Sequence, residues 1–115
     1  MKTYIIGHKK PDLDSVVAAI SFTEYMKIHW DPSSIPMVID ELNSETKFVF
    51  EKFGITPPQL LRVENINPED RVILVDHNEE DQRLDGLNQN QIVGIFDHHK
   101  INLNLSSPIE INILP

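Results

Sequence analysis

Three short clusters of acidic and imidazole side chains, each directly behind an apolar run, carry the chemistry of this chain. His8-Lys9-Lys10-Pro11-Asp12-Leu13-Asp14-Ser15 follows Thr3 to Ile6, with Gly7 between. Asp76-His77-Asn78-Glu79 follows Arg71 to Val75, and Asp97-His98-His99-Lys100 follows Gln91 to Phe96. Carboxylate and imidazole without thiolate form a ligand set for Mn²⁺, Mg²⁺ or Co²⁺, with Zn²⁺ within reach. Asp12 and Asp14 lie two residues apart, so in an extended loop they point to opposite sides and suit two ions better than one. A pair of ions ~3.5–4 Å apart, sharing a carboxylate, is apparatus for phosphoryl hydrolysis. Taken singly, each residue has a structural explanation: an Asx turn or helix cap for Asp12 and Asp14, a turn cap for Asp76, a surface pair for His98 and His99. Their joint recurrence at three strand ends makes a metal site the stronger reading. His29, beside Trp30 and away from every cluster, is read as a helix-end residue, and His77 ranks below Asp76 as a ligand.

The elements that must position these clusters follow from periodicity and breakers. Thr3 to Ile6 is rich in β-formers and ends at Gly7. Pro11 keeps a helix from starting before it, and Asp14 or Ser15 then serves as N-cap of a mostly buried helix over about Ser15 to Ile28. Pro36 to Ile39 reads as a strand. Ser44 to Phe53 reads as a helix, with Gly54 at the position where a glycine closes a helix. Arg71 to Val75 and Gln91 to Phe96 are continuous apolar runs, the pattern of strands covered on both faces. Leu84 to Asn90 suggests a short helix, and Ile109 to Ile113 a final strand suited to a sheet edge. Alternating strands and helices predict an α/β fold with a mainly parallel sheet flanked by helices. In such a sheet ligands bind beyond the carboxyl ends of the strands, which is where all three clusters fall.

Bulk composition narrows the partners. At 115 residues one domain is expected. A formal net charge of −8 disfavours nucleic acid and anionic membranes, which need clustered Lys and Arg. The same charge means that an anionic substrate needs bound cations to reverse the local field. There is no cysteine, so disulfides and thiolate ligands are excluded. With no run of transmembrane length and no signal-peptide pattern, a soluble cytoplasmic protein without membrane partners is expected.

The first and third clusters resemble the corresponding motifs of the DHH phosphoesterases. With Gly7-His8 and the middle motif Asp76-His77-Asn78-Glu79, the chain is similar to the family II, manganese-dependent inorganic pyrophosphatases. The stretch Asn43 to Gly54, leading to Thr56-Pro57-Pro58, resembles archaeal-type members. The resemblance covers essentially the whole of residues 1–115 and implies a Rossmann-like DHH domain that hydrolyses pyrophosphate with two Mn²⁺ ions, Co²⁺ or Mg²⁺ being alternatives. Carried over by position, His8 and Asp12 would hold one ion, Asp14 and His98 the other, and Asp76 would bridge them. His99 would contact substrate phosphate. Asp97 would orient an imidazole ring, and Asn78 and Glu79 would support the Asp76 loop.

The chain departs from that family in length. Members continue past the Asp-His-His motif to a further aspartate ligand and a second domain whose Lys and Arg residues grip the phosphates. Residues 1–115 are therefore read as the amino-terminal part of a DHH domain, expected to be weakly active or inactive alone. Two alternatives remain: another DHH phosphoesterase acting on short oligonucleotides or nucleotides, and a catalytically incomplete metal-binding fragment. A homodimer through the exposed edge strand is a further expectation.

Overall fold

The computed structural model of the chain describes residues 1–97 and 110–113. Its strands are β1 (Thr3–Ile6), β2 (Ser34–Val38), β3 (Gln59–Leu60), β4 (Arg71–Val75), β5 (Ile92–Asp97) and β6 (Glu110–Ile113), with helices α1 (Leu13–His29) and α2 (Ser44–Lys52). They form one sheet in the order β3-β2-β1-β4-β5-β6, every neighbouring pair parallel. The α/β architecture with a parallel sheet is thus as expected, and the last strand lies at an edge.

The alternation of each strand explains both layers. Tyr4 and Ile6 of β1, Met37 of β2, Val72 and Leu74 of β4, and Ile92 and Ile95 of β5 pack together on one face. Ile5, Ile73 and Val75 face the other way, onto Ala19 and Met26 of α1. There α1 and α2 share a cluster through Val16, Val38 and Phe50. The first face has no helix among the described residues. Leu61 and Ile66 from the β3–β4 connection, and Leu84 and Leu87 from the β4–β5 connection, cover it instead. The helix expected near Leu84 to Asn90 is reduced to single 3-10 turns at Glu80–Gln82 and Gln89–Gln91. Gly86, with φ +79, turns the chain between them.

Helix α1 differs from its sequence reading in two ways. It starts earlier, at Leu13, because Asp12 rather than Asp14 or Ser15 caps it: the Asp12 carboxylate accepts from the Ser15 N–H at 2.8 Å. It is also less buried than its apolar content suggests. Ser15, Val16, Ala19, Thr23 and Met26 form the buried stripe, while Val17, Tyr25 and Ile28 are exposed. Helix α2 closes as its sequence implies, with Gly54 at φ +66 and the Ile55 N–H returning to the Phe50 carbonyl. The two-residue strand β3 has no signal in the sequence pattern, and β2 begins two residues before Pro36. Between β4 and β5 the register slips, Val72 pairing with Ile92 but Ile73 with Gly94, so that Val93 is an extra residue.

The pole opposite the strand ends is held by one carboxylate. Asp31, just after α1, accepts from the Thr3 hydroxyl of β1, from the Ser33 N–H and hydroxyl, and from Arg71 Nη2 of β4 at 2.9 Å. The Ser33 and Thr3 hydroxyls, against a smaller opposing effect of burial, hold its pKa down at about 2. Since the folded pKa lies below the unfolded value of 3.8, this stabilisation is full above about pH 4. Urea titrations should show it disappearing between pH 4 and 2, with the stability gap between wild type and Asp31→Asn narrowing over that window.

A second test concerns the turn leaving β1. A Cβ on Gly7 would overlap Ser15 Oγ and lie 3.3 Å from Ser15 Cβ. Gly7→Ala should therefore cost about 1–3 kcal/mol of unfolding free energy. Ser15→Ala in the same chain, by removing the hydroxyl, should restore part of it.

Candidate metal centre

The loop behind β1 is tied to the loops behind both neighbouring strands. The Lys9 N–H donates to the Gln82 carbonyl, beyond β4, at 2.8 Å. The Lys10 N–H donates to Asp40, beyond β2, at 2.8 Å. Lys10 itself is left-handed, φ 49, which aims that N–H sideways. The Lys9 ammonium is turned away to Asp85 at 2.7 Å. These ties leave His8 and Asp12 projecting from one short, stiff segment that Pro11 anchors in the interior. Asp40 and Gln82 were not singled out from the sequence. Asp40 has a signal, an acidic residue two positions beyond β2, as His8 stands two beyond β1 and Asp76 one beyond β4. Gln82 acts through its backbone carbonyl, which no side-chain pattern announces.

Asp76 is placed by an unusual backbone. It is left-handed at φ 59, a region that disfavours residues other than glycine, asparagine and aspartate. Its N–H still donates to the Phe96 carbonyl of β5 at 2.9 Å, so the ladder continues while the chain turns. His77 then folds back inside, its Nδ1–H donating to the Val75 carbonyl at 2.9 Å. Burial pushes the His77 pKa down to about 4, so it is neutral at physiological pH. Asn78, also buried, donates to the buried Asp97 carboxylate at 2.7 Å.

Three sequence candidates converge. His8, Asp12 and Asp76 each bring a ligand atom to within 4.8 Å of the others. His8 Nε2 is 3.9 Å from Asp12 Oδ1 and 3.5 Å from Asp76 Oδ2. The cleft beside them, about 280 Å³, is lined by His8, Asp76, His77, Asn78, Glu79 and Gln82. Asp14 sits exposed in the first turn of α1, outside this trio. His98 and His99 lie outside the described residues, and Asp97 ends β5 as a buried acceptor. His29 is at the end of α1, its ring 4.6 Å from that of Tyr25.

The donor set fits a divalent cation. His8 Nδ1 is 2.7 Å from the Lys9 carbonyl, and since a carbonyl cannot donate, Nδ1 carries the proton. In the neutral ring Nε2 therefore presents a lone pair towards two carboxylates. The 3.5 Å separation from Asp76 exceeds a charge-assisted hydrogen bond of about 2.7–2.9 Å. It matches two ligands around one ion with bonds of about 2.0–2.2 Å. Asp12 Oδ1 both caps α1 and faces His8 Nε2; a carboxylate carries about four lone-pair sites, so the cap leaves acceptor capacity for an ion.

The sequence and the fold match known proteins. The model of the DHH family, N-terminal domain, matches residues 2–114. A manganese-dependent inorganic pyrophosphatase of Methanocaldococcus jannaschii is 37% identical over 106 residues, 92% of this chain and 32% of that protein. One from Methanothrix thermoacetophila is 43% identical over 98 residues, 85% of this chain and 30% of that protein. A crystal structure from Methanococcus jannaschii, assigned to the family II inorganic pyrophosphatases, superposes with a TM-score of 0.82. It is 34% identical over 97% of this chain and 34% of its own. The chain thus spans about a third of the length of the relatives it matches.

The left-handed turn at Asp76 gives a test that separates metal binding from stability. Asp76→Gly should relieve about 1 kcal/mol of backbone strain and remove a carboxylate from an acidic cluster. The metal-free variant should unfold at the same or higher urea concentration than wild type. Its Mn²⁺ affinity, read by calorimetry, should collapse.

Proposed function

The chain belongs to the DHH family, whose N-terminal domain it matches over residues 2–114, and from that premise we propose that it is the amino-terminal part of a manganese-dependent inorganic pyrophosphatase. The observation that carries this reading is the convergence of His8, Asp12 and Asp76 at the carboxyl ends of β1 and β4, together with the activity for which the relatives are named. In this reading His8 and Asp12 hold one Mn²⁺, Asp14 and His98 the other, and Asp76 lies between. Two bound cations would lower the pKa of water and take up charge on phosphoryl oxygens.

The protein's own part is positional. The Lys9 and Lys10 backbone ties and the left-handed Asp76 hold the ligands in place before an ion arrives, so little reorganisation is needed on binding. His8 keeps its proton on Nδ1, which leaves Nε2 for the ion. His99 meets a substrate phosphate, and Asp97 supports an imidazole from behind. The acidic chain, net −8, supports a small phosphorylated substrate reached through cations rather than nucleic acid or a membrane. No described helix is long and apolar enough to cross a membrane, and we read the protein as cytoplasmic. The edge position of β6 supports pairing with a second copy.

With Mn²⁺ present, the chain should release phosphate from pyrophosphate and none from a dinucleotide, at a low absolute rate. Asp76→Asn should remove that activity and weaken calorimetric Mn²⁺ binding at least about tenfold. Cleavage of the dinucleotide, or Mn²⁺ binding indifferent to Asp76→Asn, would sink the reading.

A further inference from the structure

We propose that Asn78 is a positioning residue that sets the third motif through Asp97, an inference that rests on the two-metal reading above. Asn78 is 2% exposed and Asp97 4%. A carboxylate so deeply buried is costly unless hydrogen-bonded, and the Asn78 Nδ2–H at 2.7 Å supplies such a bond. The bond joins positions 19 residues apart and links the loop behind β4 to the last residue of β5.

The need for such a tie follows from the sheet. The extra residue at Val93 leaves β5 in two registers against β4, one before and one after the bulge. The carboxyl end of β5 is what must be exact, because a ligand at residue 98 leaves the chain directly after it. Metal-site ligands tolerate only about 0.5 Å of misplacement. Beside its pairing with β6, that end is held from the β4 side by the Asp76 N–H on the Phe96 carbonyl and the Asn78 amide on Asp97. The Asn78 N–H is directed at Asp97 Oδ2, while Asp76, two residues before Asn78, faces His8.

The pair can be exchanged without changing net charge. Asn78→Asp alone sets two carboxylates against each other, and Asp97→Asn alone keeps a donor and an acceptor but loses the charge. The double variant Asn78→Asp/Asp97→Asn rebuilds one amide–carboxylate bond with the roles reversed. Calorimetric Mn²⁺ titration, at a temperature where each variant is folded by circular dichroism, should show affinity falling about 10–100-fold in Asn78→Asp and returning to within about threefold of wild type in the double variant. If Asn78→Asp does not fold, the neutral Asn78→Ala should show the same loss. Wild-type affinity in the folded single variant, or a double variant as weak as Asn78→Asp, overturns the inference. The Asp76→Asn variant separates the two levels. If it weakens binding while the Asn78 variants do not, only the role of Asn78 falls. If wild type itself binds no Mn²⁺, the two-metal reading falls, and this inference with it.

Discussion

The left-handed backbone of Asp76 is the constraint on which the carboxyl edge of the sheet depends. A residue continuing β4 in extended conformation would send its side chain onto a face of the sheet and the next onto the opposite face. The turn at Asp76 instead sends one carboxylate out towards His8, folds the next side chain inside and brings the third to Asp97. A non-glycine residue pays about 1–2 kcal/mol for this conformation. Three hydrogen bonds at consecutive residues offset it: Asp76 N–H to Phe96, His77 Nδ1–H to Val75 and Asn78 Nδ2–H to Asp97. The site is therefore specified by main-chain geometry as much as by ligand identity.

The two poles of the sheet treat acidity in opposite ways. At the amino pole Asp31 collects two hydroxyls, an N–H and a guanidinium, all from within the chain. Its charge is neutralised by protein, and its role is to bind β1, β4 and the start of β2 together. At the carboxyl pole the carboxylates of Asp12 and Asp76 converge on an imidazole whose proton is directed elsewhere. The neighbouring ammonium of Lys9 is committed to Asp85. One pole completes its own electrostatics, and the other, on the proposed reading, would be completed by a cation.

Much of this was legible in the sequence because the signals are local. Apolar runs such as Arg-Val-Ile-Leu-Val mark strands covered on both faces, and His8 and Asp76 behind such runs mark the carboxyl edge. What escaped depends on tertiary context. The cap of α1 fell to Asp12 because the loop is pinned by Gln82 and Asp40, which no window around residue 12 contains. The apolar content of Ser15 to Ile28 makes α1 read as mostly buried, yet Val17 and Tyr25 are exposed, because helical periodicity does not say how many neighbours a helix has. The bulge at Val93 is a property of two strands and is invisible in one.

If the proposed site holds an ion, the ties between the three post-strand loops also couple folding to the supply of metal. The proposed ligands His8 and Asp76 hang from adjacent strands β1 and β4, so an ion held between them would act as a staple across the middle of the sheet. An unfolded chain offers no such preassembled site. By mass action, free metal at a hundred times its dissociation constant would add about 2.7 kcal/mol to the folded state. For a domain of this size, whose total stability is of the order of 5–15 kcal/mol, that is a substantial share. The resistance of this protein to unfolding, and to the proteases that act on unfolded chains, would then rise and fall with the cell's pool of divalent cations.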